Sequence, residues 1–225
     1  MKNNKYLRFL NQNYNFIDIN TVSEVTKEQL EKLYIEIENI FVVLVLIEKN
    51  CKNEIKIDFI EVITNHLMGL LLNIPNNFYP SINFCFRGVI EGSIKFIYQN
   101  KIEKDQNYEN ISKIGYRNLK EKLKKQIKEE YLNTLYSLYS EYSDDLHIKN
   151  KNKIDISDSI NEIVKKLDYN YEKLIKDLRL LFESFMKFLN IEFKVNENNF
   201  PLEDRKYLKK KLSNSKYKKV MNIKY

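Results

Sequence analysis

The stretch Pro80-Ser81-Ile82-Asn83-Phe84-Cys85-Phe86-Arg87-Gly88-Val89-Ile90-Glu91-Gly92-Ser93-Ile94-Lys95-Phe96-Ile97-Tyr98-Gln99-Asn100 decides the fold. It reads as a helix. Pro80 and Ser81 suit a first turn and its cap, and Phe84, Val89, Ile90, Ile94, Phe96, Ile97 and Tyr98 spread an apolar surface around most of its circumference. A surface that wide belongs to a helix packed on several sides. Set into it are Arg87 and Glu91, four residues apart and so on one face. Charges on an apolar helix are costly to bury unless they pair with each other or serve a site. Both readings stand at this point: an intrahelical ion pair, or a polar site inside a bundle. Gly88 and Gly92 follow them at the same spacing and open a groove where a second backbone or a ligand can approach closely.

Working outward, the composition favours helices. The 225 residues are 43% hydrophobic, enough for a substantial core, and carry only 4 Gly and 3 Pro. Sandwiches and barrels need turn residues at shorter intervals than that. The apolar positions Leu30, Leu33, Tyr34, Ile37, Ile40, Phe41, Leu44 and Val45 repeat with a helical period after a capping box at Thr26 and Gln29. Asp58 is placed to cap a second helix to Leu72, apolar nearly all round and so expected at the centre of the bundle. Residues 101–113 read as a polar loop. A long helix is expected from about Arg117 to Leu146, its first half carrying Lys and Glu in the manner of a solvated face, and a last one from Ser157 or Asp158 to about Asn190. The expected architecture is all-α: an antiparallel bundle of four or five long helices over residues 26–196, a loosely docked lead-in over 1–25, and a short basic C-terminal helix in a tail over 197–225.

The two cysteines do not share a metal-ligand or redox spacing, and their neighbours suggest that Cys51 is exposed and Cys85 buried. Without a disulfide framework, a signal-type N-terminus or an apolar run longer than the seven residues Phe41–Ile47, the chain reads as cytoplasmic, with no membrane contact. The net charge of +7 is concentrated at the end: from Pro201 onward there are nine cations and two anions, which accounts for the whole excess. Lys209, Lys210, Lys211, Lys216, Lys218 and Lys219, with Tyr207 and Tyr217 interleaved, suit phosphate contacts and base stacking, or else simply solubilise the end of a Lys-rich chain.

No phosphate loop, dinucleotide fingerprint, nucleophile elbow or His-Glu-x-x-His motif is present, and the acids show no Glu-x-x-His pairing. No metal site and no cofactor are expected. Of the two histidines, His66 lies in an apolar mid-helix context and reads as a structural residue. His147 ends Tyr142-Ser143-Asp144-Asp145-Leu146-His147, where a helix C-terminus favours its charged form.

The segments Phe86-Arg87-Gly88-Val89-Ile90-Glu91 and Tyr142–His147 resemble an Arg-x-x-x-Glu … Ser-x-x-x-His pattern of bacterial helical proteins similar to the HEPN superfamily. Those are helical bundles of toxin–antitoxin, abortive-infection and CRISPR-associated ribonucleases. The resemblance covers roughly residues 30–190. It implies a metal-independent endoribonuclease acting in phage defence or as a toxin. His147 would serve as general acid/base, Arg87 would stabilise phosphate charge and Glu91 would orient Arg87, at a site composed across a homodimer. Active members carry the arginine in the histidine's own helix; here Tyr142 and Ser143 occupy that position, so Arg87 must supply the cation from another helix. The alternative is a non-catalytic adaptor or antitoxin-like bundle that binds RNA or a protein partner through its aromatic faces.

Overall fold

The computed structural model of the chain describes residues 5–14, 17–76, 79–127, 130–144 and 171–222, and these fold as an all-α bundle with no strand among them. The helices are α1 (Lys5–Asn13), α2 (Glu24–Cys51), α3 (Asp58–Asn73), α4 (Tyr79–Lys101), α5 (Tyr108–Ser112), α6 (Tyr116–Gln126), α7 (Glu130–Asp144), α8 (Glu172–Glu192), α9 (Leu202–Lys211) and α10 (Asn214–Val220). Five long helices close a ring in which α2 packs on α3, α3 on α4, α4 on α7, α7 on α8 and α8 back on α2. His147 and the expected helix start at Ser157 or Asp158 lie outside the described residues.

The centre is α4. Its C-terminal half is buried from Val89 and Ile90 through Phe96, Ile97, Tyr98, Gln99 and Asn100 except at the partly exposed Glu91 and Lys95, and it touches α3, α5, α6, α7 and α8. The polar end of this buried run is tied down by side-chain bonds, although Gln99 Oε1 is buried without a partner among the described residues. Gln99 Nε2 donates to Asp58 Oδ2 at 2.6 Å, and Asn100 clamps the backbone of Lys56 with bonds of 2.8 and 2.9 Å. The α2–α3 connection is thereby fixed to the end of α4. Asp58, expected as a cap, is instead the first residue of α3 and works as that acceptor. Nor is α3 central: it buries Phe59, Ile60, Ile63, Leu67 and Leu70 against α2 and α4, and leaves Met68 and Leu72 exposed on its outer face.

Other boundaries shift for local reasons. Ser23, not Thr26, caps α2, its hydroxyl accepting from the Thr26 N–H at 3.1 Å. Cys51 is buried, because it lies one turn beyond Ile47 on the core-facing side of α2. Ile111 anchors the expected polar loop as the short helix α5. The long helix expected from Arg117 is interrupted: Ile127 takes an extended backbone (φ −128°, ψ 120°) with its side chain buried, and α6 and α7 are separate helices.

Helix α1 and the helices α9 and α10 pack on the bundle. On α1, Tyr6 and Leu10 are buried, and the Tyr6 hydroxyl donates to the Leu71 carbonyl at 2.8 Å. At the other end Leu208, Leu212, Val220 and Met221 are buried, with α9 against α2 and α10 against α8.

Candidate functional site at the α3–α4 crossing

The two helices cross at glycines. A Cβ added to Gly92 would lie 2.9 Å from Ile63 Cγ1, and one added to Gly88 would lie 2.5 Å from three atoms of the His66 ring. The imidazole therefore lies directly over the α4 backbone, held from the side by Phe84 at a ring separation of 5.9 Å in edge-on geometry. Beyond the ring, the helices diverge into a solvent-open cleft of about 220 Å³, lined by His66, Arg87, Glu91, Lys95 and the aromatic rings of Phe59, Phe84 and Tyr108.

The charges are arranged differently from the simplest sequence reading. Glu91 pairs with Lys95, Oε1 to Nζ at 2.8 Å, one turn further on and not one turn back at Arg87. Lys95 also donates to the Ser112 carbonyl at 2.8 Å, which ties α4 to α5. Arg87 turns toward α7 and donates through Nε and Nη2 to the Tyr139 hydroxyl, at 3.2 and 2.8 Å. Its guanidinium carbon lies 5.0 Å from the centre of the same ring. Tyr139, not Glu91, holds the Arg87 side chain in place.

Burial pulls the His66 pKa below its ordinary value, and the nearby Glu91 carboxylate opposes that shift. The neutral form of the imidazole, which can take a proton, is accordingly favoured over the charged one. A neutral base, a carboxylate and two cations in one open cleft can bind an anion and move a proton beside it. Arg87 and Glu91, singled out by their spacing, are both in the cleft. His66, read as structural, is their neighbour, and Lys95 and Tyr139 complete the set. One signal for Lys95 was present in the sequence: a glutamate four residues before a cation pairs better than the reverse order. The meeting of His66 with Gly88 spans two helices, and no spacing rule reports it.

No family model, curated protein or solved structure matches this chain. Among the described residues no group of three His, Cys, Asp or Glu could hold a metal ion, and no helix is long and apolar enough to cross a membrane.

The basic tail is not a free arm. Lys211 pairs with Glu38 at 2.8 Å, Lys216 with Glu36, and Lys219 with Glu183. Glu36 is only 5% exposed and also receives Arg179 Nε at 2.8 Å. These lysines dock α9 and α10 onto α2 and α8, while Lys209, Lys210 and Tyr207 face solvent and Tyr217 and Lys218 are half-buried.

Proposed function

We propose that this protein is an RNA-acting bundle of HEPN-like type whose reaction centre is the α3–α4 cleft. The observation that carries the reading is the convergence of His66, Arg87, Glu91 and Lys95 on one open cavity with aromatic walls. A phosphodiester fits that chemistry. Arg87 and Lys95 bracket the phosphate and neutralise the charge that builds on its oxygens. His66 removes the proton of the ribose 2′-hydroxyl, and the 2′-oxygen attacks phosphorus. The P–O5′ bond breaks, and the 5′-oxygen leaves with a proton from solvent, giving a cyclic phosphate and a free 5′-hydroxyl. Glu91 fixes Lys95 and favours the imidazolium that forms on His66. Phe84 and Tyr108 offer faces for an unpaired base. The resemblance assigns the proton transfer to His147; the cleft supplies His66 for the same task, and the two assignments are separable by mutation.

The test is induction in a bacterial host of the wild type beside His66→Ala, Arg87→Ala and His147→Ala. Growth arrest with fragmented RNA in the wild type, abolished by the first two substitutions in folded protein, supports the reading. If all four behave alike, the cleft is not a nuclease site. A second reading, a non-catalytic adaptor, is favoured by one observation: Phe84 at the rim of the cleft is 58% exposed, a large apolar ring presented to solvent beside the charged groups. Stable co-purification of one protein, abolished in Phe84→Ala and unchanged in His66→Ala, would select it.

A further inference from the structure

Among the described residues, unpaired positive charge stands not only on the tail, where Lys206, Lys209 and Lys210 are exposed, but also on a second element that the sequence does not single out. Three of the tail lysines are spent on Glu36, Glu38 and Glu183. Helix α6, Tyr116–Gln126, carries five cations (Arg117, Lys120, Lys122, Lys124, Lys125) against the single anion Glu121. Of the five, Lys122 lies 3.8 Å from Glu103, whereas Arg117, Lys120, Lys124 and Lys125 have no ion pair among the described residues. Arg117, Lys120 and Lys124 stand at positions i, i+3 and i+7, one stripe along the helix.

The lysines of this stripe lie on an aromatic floor. Lys120 Nζ sits 5.8 Å from the ring centre of Tyr116 and 5.2 Å from that of Tyr136, and Lys124 Nζ is 5.9 Å from Tyr136. Cations held over ring faces keep fewer rotamers and so give up less entropy when they bind. The floor also leads back to the cleft. Tyr116 stacks on Tyr139 with centroids 3.6 Å apart, and Tyr139 holds Arg87, which lines the cavity. From Arg87 through Tyr139 and Tyr116 to Lys120, no step is longer than 5.8 Å.

We infer that α6 is the binding track for the backbone of single-stranded RNA, with Arg117, Lys120 and Lys124 taking successive phosphates as the strand leaves the cleft beside Arg87. This rests on the RNA reading of the cleft and extends it to residues that no motif marks. Single-stranded RNA is the occupant because the track ends at a cleft of about 220 Å³ with Phe59, Phe84 and Tyr108 in its walls, a volume that takes an unstacked base and not a duplex.

The experiment measures binding of a fluorescently labelled, 2′-deoxy-blocked RNA oligonucleotide to the purified full chain across a salt series. Wild type is compared with Arg117→Gln/Lys120→Gln/Lys124→Gln and with Lys209→Gln/Lys210→Gln in the tail. Each phosphate deprived of its cation should flatten the log–log salt dependence by about 0.7, so the α6 triple variant should fall by about 2 in slope while the tail variant keeps the wild-type slope. Thermal melting checks that the three surface substitutions leave the fold intact. Wild-type binding with an unchanged slope in the α6 variant, or a flattening found in the tail variant instead, overturns the track and leaves the cleft reading standing. No RNA binding by wild type overturns both. Poly-glutamate competing as well as RNA would show an acidic protein segment as the occupant and overturn the assignment to RNA.

Discussion

Replacing Gly88 with alanine should move His66 without loosening the bundle. The new Cβ would lie 2.5 Å from ring atoms of His66, where ordinary contact begins at 3.4 Å, so the ring must retreat by about 1 Å or swing out. The ring is the free end of a half-buried side chain beside an open cleft, so it can swing. The weaker ring packing costs about 1 kcal/mol, and the gain from Gly to Ala inside a helix is of the same size. Net stability should therefore change by less than about 1 kcal/mol, or about 2–4 °C in melting temperature for a chain of this size. Gly92→Ala is the contrast. Its Cβ would meet Ile63 Cγ1 at 2.9 Å, and Ile63 is sealed between α3 and α4 with nowhere to turn, so the helices must separate at a cost of about 1–3 kcal/mol. The site-specific readout is the His66 imidazole titration by proton NMR, with His147 as the second histidine signal of the same sample. In the wild type His66 should titrate below its usual value of about 6.5, since burial lowers it, and in Gly88→Ala it should move back toward that value. An unmoved His66 titration in Gly88→Ala, or a melting decrease equal to that of Gly92→Ala, would refute the geometry on which the site is built.

Four further outcomes rest on the same structure. The lowered His66 pKa means that the unfolded chain binds this proton more readily than the folded one. His66 therefore adds stability above pH of about 6.5 that is lost on acidification through its folded value, a slope that His66→Gln should remove from a pH series of melts. Cleavage, if His66 is the base, should decline on the same acidic side. Asp177 is buried, with its pKa raised chiefly by that burial, and accepts from the Tyr142 hydroxyl at 2.8 Å. Asparagine keeps an acceptor for Tyr142 without the charge, so Asp177→Asn should raise the melting temperature at pH 7, with the difference closing on acidification as the carboxyl protonates. Glu36→Ala strands Lys216 and Arg179 and should destabilise by about 2–3 kcal/mol, with faster proteolysis between α8 and α10 than in wild type.

The part of the fold that could be read from the chain was the part written in periodicity. The all-round apolar surface of Pro80–Asn100 marked α4 as packed on several sides, and α2 followed from its helical repeat. What escaped depended on partners distant in sequence. Ile127 breaks a helix with neither Gly nor Pro beside it, because burying its side chain outweighs one more turn. Lys211, Lys216 and Lys219 look free until α2 and α8 present Glu36, Glu38 and Glu183 to them. At the site, Arg87 and Glu91 were visible because they share a helix. His66 was not, because its role depends on which glycine of which helix its ring meets.

The most direct test of the central claim is cleavage of a labelled single-stranded RNA by the purified chain in the presence of EDTA, comparing wild type with His66→Ala, Arg87→Ala and Tyr139→Phe. Wild type should give cyclic-phosphate products, His66→Ala a drop of at least about 100-fold as expected for a general base, and Tyr139→Phe a smaller one, since Tyr139 only positions Arg87. Cleavage by His66→Ala at the wild-type rate, in protein that melts like the wild type, would contradict the claim.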